Sequence, residues 1–300
     1  MNIKGITKTN YRNTDYNSVI KFLGNLYQAD PEHPYWLPGR WEYATYLVSP
    51  LYIRRGRPDW KKYIRIWRDN NKIAGIIHSE SPDENIFIQL DPKYNEIKED
   101  MIEWAEKNTS SKKIRVWLRK EDLASEALLQ NREYRKSNPY DYLNWCYLDK
   151  YTPKVEISDE YRIQSLDDDT YLNSKIECAA KAFGSENVAK EVYRFMQQSP
   201  SYRRSLDLFI LYKEKVVSLC IVWLDQRNSL GYIEPVATHP EFQRKGLGKA
   251  ILNHAMKKLQ EKSAVRAYVG SYGDERKAFY LKSGFENSVT FQPWEKKLSE

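Results

Sequence analysis

Three features of this sequence predict an α/β (α+β) chain made of two tandem copies of one unit. Strand and helix patterns alternate along all 300 residues, and their order in the first half recurs in the second. Landmarks also pair about half the chain apart. Pro92 and Pro240 each follow a strand pattern and precede an aromatic two residues on, Tyr94 and Phe242, while Tyr134 and Phe285 each follow a helix pattern. Self-similarity at a fixed offset marks an internal duplication. Two domains are expected, 1–150 and 151–300, joined near Lys150–Lys154, where Thr152 and Pro153 interrupt the pattern.

In the first half, a strand is expected at Ile3–Thr7 and a helix at Asp15–Tyr27, with Val19, Ile20, Phe22, Leu23 and Leu26 at helical spacing. The Pro- and aromatic-rich stretch Asp30–Trp60 cannot form one continuous helix, because proline removes a donor and clashes with the preceding turn. Strands Tyr63–Trp67 and Lys72–His78 flank the polar turn Arg68–Asn71. Strand Asn85–Leu90, helix Glu96–Lys107, strand Ile114–Leu118, helix Leu123–Gln130 and an apolar run Leu143–Leu148 follow.

The second half repeats that order. Strand Glu160–Ile163 leads to a helix after Asp167–Asp169, whose acids suit capping, and to a helix near Val188–Met196. A hairpin over Leu206–Leu224 turns at Lys213–Lys215. Strand Gly231–Thr238 and an amphipathic helix Gly248–Lys262 come next, then strand Val265–Gly270, helix Glu275–Ser283 and a final run Val289–Trp294.

Composition narrows the possible functions. Nine Trp, 23 Tyr and nine Phe within 41% hydrophobic residues supply real cores and exclude fibrous or disordered chains. A net charge of +7 favours an anionic partner, yet no basic helix or block supports nucleic-acid binding. Cys146, Cys178 and Cys220 lack CxxC spacing, and His33, His78, His239 and His254 share no ligand spacing, so neither disulfides nor a metal is expected. No apolar stretch reaches signal-peptide or membrane-span length (about 18 to 20 residues for a span), which points to the cytoplasm.

The chemistry is concentrated in Gly231–Gly248, GYIEPVATHPEFQRKGLG, where a strand runs through a glycine loop into a helix start. The first amides of a helix have no internal acceptor, the helix dipole adds positive charge, and glycines let the chain approach a ligand closely. Arg244 and Lys245 add formal charge. The spacing is neither that of a P-loop nor that of a dinucleotide-binding turn.

Gln243, Gly246 and Gly248 match the Q/R-x-x-G-x-G/A signature, and Tyr280–Phe285 (YLKSGF) is similar to a downstream Y-x-x-x-G-F element. In these residues the second half resembles the GNAT family of N-acetyltransferases, and the first half resembles it in topology. The resemblance implies, in each copy, a mixed, mostly antiparallel sheet flanked by helices. It implies acetyl-CoA as acyl donor, with Val236, Ala237 and Thr238 along the pantetheine arm. Gln243, Arg244, Lys245, Gly246, Leu247, Gly248 and Lys249 would surround the pyrophosphate. Glu234 is the expected general base, sharing by alternation one face with Tyr232 and Val236. Tyr280 is the expected acid for the departing thiolate, and an amide of Val236 or Ala237 the expected polariser of the thioester carbonyl. Family members often carry an asparagine about seven residues before this tyrosine. Gly273 stands there, leaving Ser271 or Asp274 as the expected pantetheine contact.

The expected reaction is direct attack by a primary amine, borne on a small molecule or a peptide, in a ternary complex. The alternative is a non-catalytic acyl-CoA-binding or sensing module. In the first half the matching loop, Asn95–Glu99, has no glycine, and Glu96, Glu99 and Asp100 would repel phosphate. That copy is expected to have lost cofactor binding and to shape the acceptor pocket through its aromatic stretch Tyr35–Trp60.

Overall fold

A computed structural model describes residues 5–79, 85–109, 111–185 and 189–298. Part of the expected strand Ile3–Thr7, and Val188 at the head of its expected helix, lie outside them. The first 150 residues form β1 (Ile6–Asn10), α1 (Tyr16–Ala29), α2 (Pro38–Tyr43), α3 (Ser49–Arg54), β2 (Arg65–Asp69), β3 (Lys72–His78), β4 (Asn85–Leu90), α4 (Lys98–Asn108), β5 (Lys113–Arg119), α5 (Leu123–Asn131), β6 (Arg135–Lys136) and β7 (Asp141–Tyr147). The rest form β8 (Tyr161–Ser165), α6 (Leu172–Phe183), α7 (Lys190–Met196), β9 (Asp207–Tyr212), β10 (Lys215–Asp225), β11 (Leu230–Thr238), α8 (Leu247–Glu261), β12 (Arg266–Tyr272), α9 (Asp274–Lys282) and β13 (Asn287–Lys297).

Local rules explain most of these boundaries. Helix α1 buries Val19, Phe22, Leu23 and Tyr27, the apolar stripe of its sequence. The prolines of 30–60 restrict that stretch to α2, a π-type turn at Ala44–Val48 and α3. Lys213 and Glu214 both take left-handed φ, 45° and 62°, as a two-residue hairpin turn with the twist of its strands requires. Among the described residues no helix is long and apolar enough to cross a membrane.

The chain forms two compact units, one from Met1–Pro38, Val48–Tyr142 and Val289–Glu300, the other from Gly39–Leu47 and Leu143–Ser288. In the first the strand order is β1-β2-β3-β4-β5-β13, with β6 also on β13. Its pairs are antiparallel except β4 with β5. Trp67, Ile77, Met101, Val116 and Trp294 are buried in its core. In the second the order is β7-β12-β11-β10-β9-β8. Here β8 to β11 are antiparallel and β11 runs parallel to β12. Its core gathers Cys146, Val222, Ile233, Ile251, Met256, Val269 and Phe285.

These units differ from the expected division at residue 150. Most of β7 belongs to the second unit, most of β13 to the first, and Gly39–Leu47 lies in the second. Alternating apolar residues specify a strand but not the sheet edge that receives it, so the sequence pattern carries no record of this exchange.

One irregularity in the second unit governs the site. Ile233 pairs with Val222 and Val236 with Cys220, so β11 spends three steps where β10 spends two. The extra residue falls at Glu234–Pro235 and is a β-bulge. Pairing of β11 with β12 covers Leu230–Ile233 against Arg266–Val269. The bulge also reverses the alternation expected for Val236. Val236 packs with Ile233 on the core cluster beneath α8, while Tyr232 and Glu234 occupy the other face and are hydrogen-bonded together.

A buried ion pair ties the helices of this unit to its sheet. Lys175 on α6 pairs with Asp207 at the start of β9, and the hydroxyls of Tyr193 and Tyr202 donate to the second carboxylate oxygen at 2.6 and 2.7 Å. Removing one member strands a buried charge. Lys175→Met is expected to cost about 3–5 kcal/mol, read from the urea unfolding midpoint. Lys175→Met/Asp207→Asn should regain most of that loss, since asparagine still accepts from both tyrosines; a double variant as unstable as the single would show that packing, not charge, is responsible.

Candidate functional site

Beyond the bulge, β11 runs to Thr238, and a 3-10 turn at Pro240–Phe242 leads into the glycine loop. Arg244 and Gly246 both adopt left-handed φ, 63° and 79°. A Cβ on Gly246 would meet nothing within 4 Å, so the space over this position is open. The first α8 amide to find a partner inside the helix is that of Ala250, which donates to Gly246 O at 3.0 Å. The amides of Leu247, Gly248 and Lys249 have no acceptor within the helix. A Cβ on Gly248 would come within 3.1 Å of the Phe279 ring, so the bare glycine lets α9 approach the start of α8.

Together these elements bound a cleft of about 650 Å³, running from Val236, Ala237 and Thr238 to Arg244, Gly246, Gly248 and Lys249, with Phe279 and Tyr280 as its other wall. Arg244, Lys249, Arg276 and Lys282 line it against one acid, Glu275, an excess of positive charge suited to an anion. Gln243 and Leu247 also line it; the Gln243 amide braces the loop by donating to Thr238 O at 3.2 Å. Lys245 is exposed, with its Nζ 4.7 Å from the Phe242 ring centre. Ser271 is not brought to the cleft. It is buried and accepts a hydrogen bond from Asn144 Nδ2 at 2.9 Å, because alternation along β12 turns its side chain toward β7.

Glu234 stands on β11 just past Ile233, the last residue paired with β12, and its charge is felt by Tyr280 of α9. The Tyr232 hydroxyl donates to Glu234 Oε2, and Trp223 Nε1 donates to Glu234 O at 2.6 Å, fixing both ends of the residue. Tyr280 packs from the α9 side against the core cluster that includes Cys220 and Phe285. Burial and the neighbouring Glu234 charge push its phenol well above the ordinary tyrosine value of 10, so it stays protonated at neutral pH. The three cysteines are buried and free, and burial pushes the thiols of Cys146 and Cys220 up to about 12, which leaves them inert.

The sequence reading missed Trp223 and Tyr232 as supports of Glu234. The alternation that placed Tyr232 on the Glu234 face was a usable signal; Trp223 gave none, since its place opposite Tyr232 is set by strand register.

In the first unit the corresponding position holds a different arrangement. A turn at Pro92–Ile97 without glycine runs directly into α4. Lys98 in the first turn of α4 reaches Asp122 Oδ2 at 3.3 Å and Ser125 Oγ at 2.5 Å, tying the start of α4 to the start of α5. Tyr35 donates to the same carboxylate at 3.3 Å. The remaining cleft is about 430 Å³.

Residues 171–285 match the model of the acetyltransferase (GNAT) family. No curated protein matches the chain. Among solved structures, a GCN5-related N-acetyltransferase from Sphaerobacter thermophilus aligns over 99% of this chain and 97% of its own, at 13% identity and a TM-score of 0.68. A tandem GNAT protein from the clavulanic acid biosynthesis pathway aligns over 98% and 99%, at 10% identity and a TM-score of 0.65. A GNAT-family acetyltransferase from Colwellia psychrerythraea aligns over 98% and 99%, at 12% identity and a TM-score of 0.60. At these identities the structural likeness speaks for the fold alone. Residues 171–285, which contain both the glycine loop and Tyr280, are thus similar to the acetyltransferase (GNAT) family, in a chain whose fold is that of the tandem GNAT protein.

Proposed function

We propose that this protein transfers an acetyl group from acetyl-CoA to a primary amine by direct attack within a ternary complex. The observation that carries this reading is a single cationic cleft that runs from the open Gly246 loop to Val236 and Tyr280, where the Glu234 charge is felt by the Tyr280 phenol. Acetyl-CoA supplies an activated acyl group as a thioester. The amides of Leu247, Gly248 and Lys249, with Arg244 beside them, hold its pyrophosphate. Val236, Ala237 and Thr238 line the path of the pantetheine arm, and an amide of Val236 or Ala237 polarises the thioester carbonyl.

Glu234, fixed by Tyr232 and Trp223, takes the proton that the acceptor ammonium must lose before it attacks. Tyr280, protonated and on the other side of the strand gap, gives a proton to the departing thiolate. The tetrahedral adduct breaks its C–S bond, the nitrogen gives its second proton to solvent, acetylated amine and free CoA leave, and Glu234 and Tyr280 return to their starting states through solvent. The family supports an acyltransferase role, and the chemistry of these side chains supports catalysis over simple binding of an acyl-CoA.

The first unit, with Lys98 tied to Asp122 and Ser125 and no glycine before α4, is proposed to bind no second acetyl-CoA. Calorimetry on the full chain is therefore expected to give one acetyl-CoA per chain. Gly246→Asp, which sets a carboxylate in the proposed phosphate site on a left-handed residue, should abolish that binding altogether; residual binding of half the sites or more would assign the first unit a cofactor of its own.

Glu234→Gln keeps the shape and loses the base. Turnover should fall by about 10² to 10⁴-fold while acetyl-CoA affinity is retained, and an unaltered rate across pH would remove Glu234 from the mechanism. Because the Tyr280 phenol lies above 10, no loss of rate through its ionisation is expected below that pH. Tyr280→Phe should slow thiol release without an added ionisation in the pH profile.

A further inference from the structure

The cleft of the second unit holds more positive charge than a pyrophosphate needs. Of its four lining cations, Arg244 stands beside the free amides of the α8 start. Arg276 belongs to the Tyr280 end, where its charge opposes the rise of the phenol and its Nη1 donates to Tyr272 O at 3.1 Å. Two remain, Lys249 in the first turn of α8 and Lys282 in the last turn of α9. Both are exposed, and neither ammonium has a hydrogen bond or an ion pair among the described residues.

The turns that carry these two lysines are fastened together. Asn253, fully buried, donates from Nδ2 to Lys249 O at 2.9 Å and reaches Ser283 O at 3.5 Å, which ties the first turn of α8 to the residue after Lys282. A Cβ on Gly248 would come within 3.1 Å of Phe279 Cζ, so α9 also rests on the residue before Lys249. Phe279 and Lys282 are three residues apart and share one helix face. Phe279 lines the same cleft and keeps 40% of its surface exposed. The one acid of the cleft, Glu275, stands about two turns of α9 away from Lys282. Two like charges on fastened turns, with no acid set against them, suit an anion that engages both.

We infer that Lys249 and Lys282 bind the 3′-phosphate on the ribose of the donor, so that the donor class is a 3′-phosphorylated CoA thioester and not a shorter pantetheine thioester. This rests on the acetyltransferase reading above. Apart from its pyrophosphate, acetyl-CoA carries one anionic group, the ribose phosphomonoester. Loop amides and Arg244 serve the pyrophosphate, which leaves the lysine pair for the second anion. A phosphomonoester is close to doubly charged at neutral pH and accepts charge-assisted hydrogen bonds from two ammonium groups at once. The exposed face of Phe279, on the same side of α9 as Lys282, gives the adenine attached to that ribose a flat apolar surface to stack on.

The test is calorimetry on the full chain with acetyl-CoA and with 3′-dephospho-acetyl-CoA. Wild type is expected to bind acetyl-CoA about tenfold or more tightly than the dephospho donor, equivalent to about 1.4 kcal/mol. Raising the salt concentration should shrink that ratio, since exposed charges are screened. Lys282→Gln should weaken acetyl-CoA binding severalfold and hold the dephospho donor as wild type does, while Lys282→Arg, which keeps the charge, should retain the preference. Lys249→Gln/Lys282→Gln should bring the two donors to equal affinity. Equal affinity of wild type for both donors, or a Lys282→Gln effect equal on both, would overturn the assignment alone. Failure of wild type to bind either donor would overturn the acetyltransferase reading and the assignment with it.

Discussion

The site depends on β11 being bound to two neighbours in different ways. Against β10 it is paired along its length, with one surplus residue at Glu234–Pro235; against β12 its pairing covers Leu230–Ile233. Proline at 235 carries no amide hydrogen for a ladder, and the surplus residue rotates the strand that follows. Ile233 and Val236 then face the same core while Glu234 is turned to the opposite side. A regular strand would have put Val236 beside Glu234 and closed the sheet. The bulge instead leaves a gap beside β12 beyond Ile233, with the Glu234 carboxylate at its start and turned away from Val236.

Around that gap the supporting contacts are short and varied. Trp223 and Tyr232 pin Glu234 through its main chain and its carboxylate. Gly39 packs over both of them, and Glu42 secures the segment from behind. On the other face, Asn253 of α8 accepts from the Tyr151 hydroxyl at 2.9 Å and from the Lys154 amide at 2.8 Å, which fixes the helix whose first turn faces the cleft. Buried polar groups satisfied in this way give one defined geometry, since any displacement leaves a donor or acceptor without a partner.

The two units show how little sequence separates an open glycine loop from a closed turn. Both place a strand, a 3-10 turn and a helix in the same order. In the second, left-handed Arg244 and Gly246 leave free amides and open space. In the first, Lys98 spends its charge on Asp122 and Ser125, and the helix begins without a glycine. Asp122 is held below the usual carboxylate range by the Ser125 hydrogen bonds and the Lys98 charge, against the opposing effect of burial, so the closing contact is a stable ion pair at neutral pH.

The order of elements, the hairpin at Lys213–Glu214 and the glycine loop at Gln243–Gly248 that opens α8 were legible in the chain itself. All of them rest on local rules, periodicity, turn chemistry and the free amides of a helix start, that act over a few residues. Three things were not legible. Ser271 turned away to Asn144, β7 and β13 exchanged units, and Gly39 came to lie against Trp223 and Tyr232 from nearly two hundred residues upstream. Each is a choice among partners that satisfy the same local pattern equally well. Burial and hydrogen-bond satisfaction decide it, and these exist only once the chain has closed on itself.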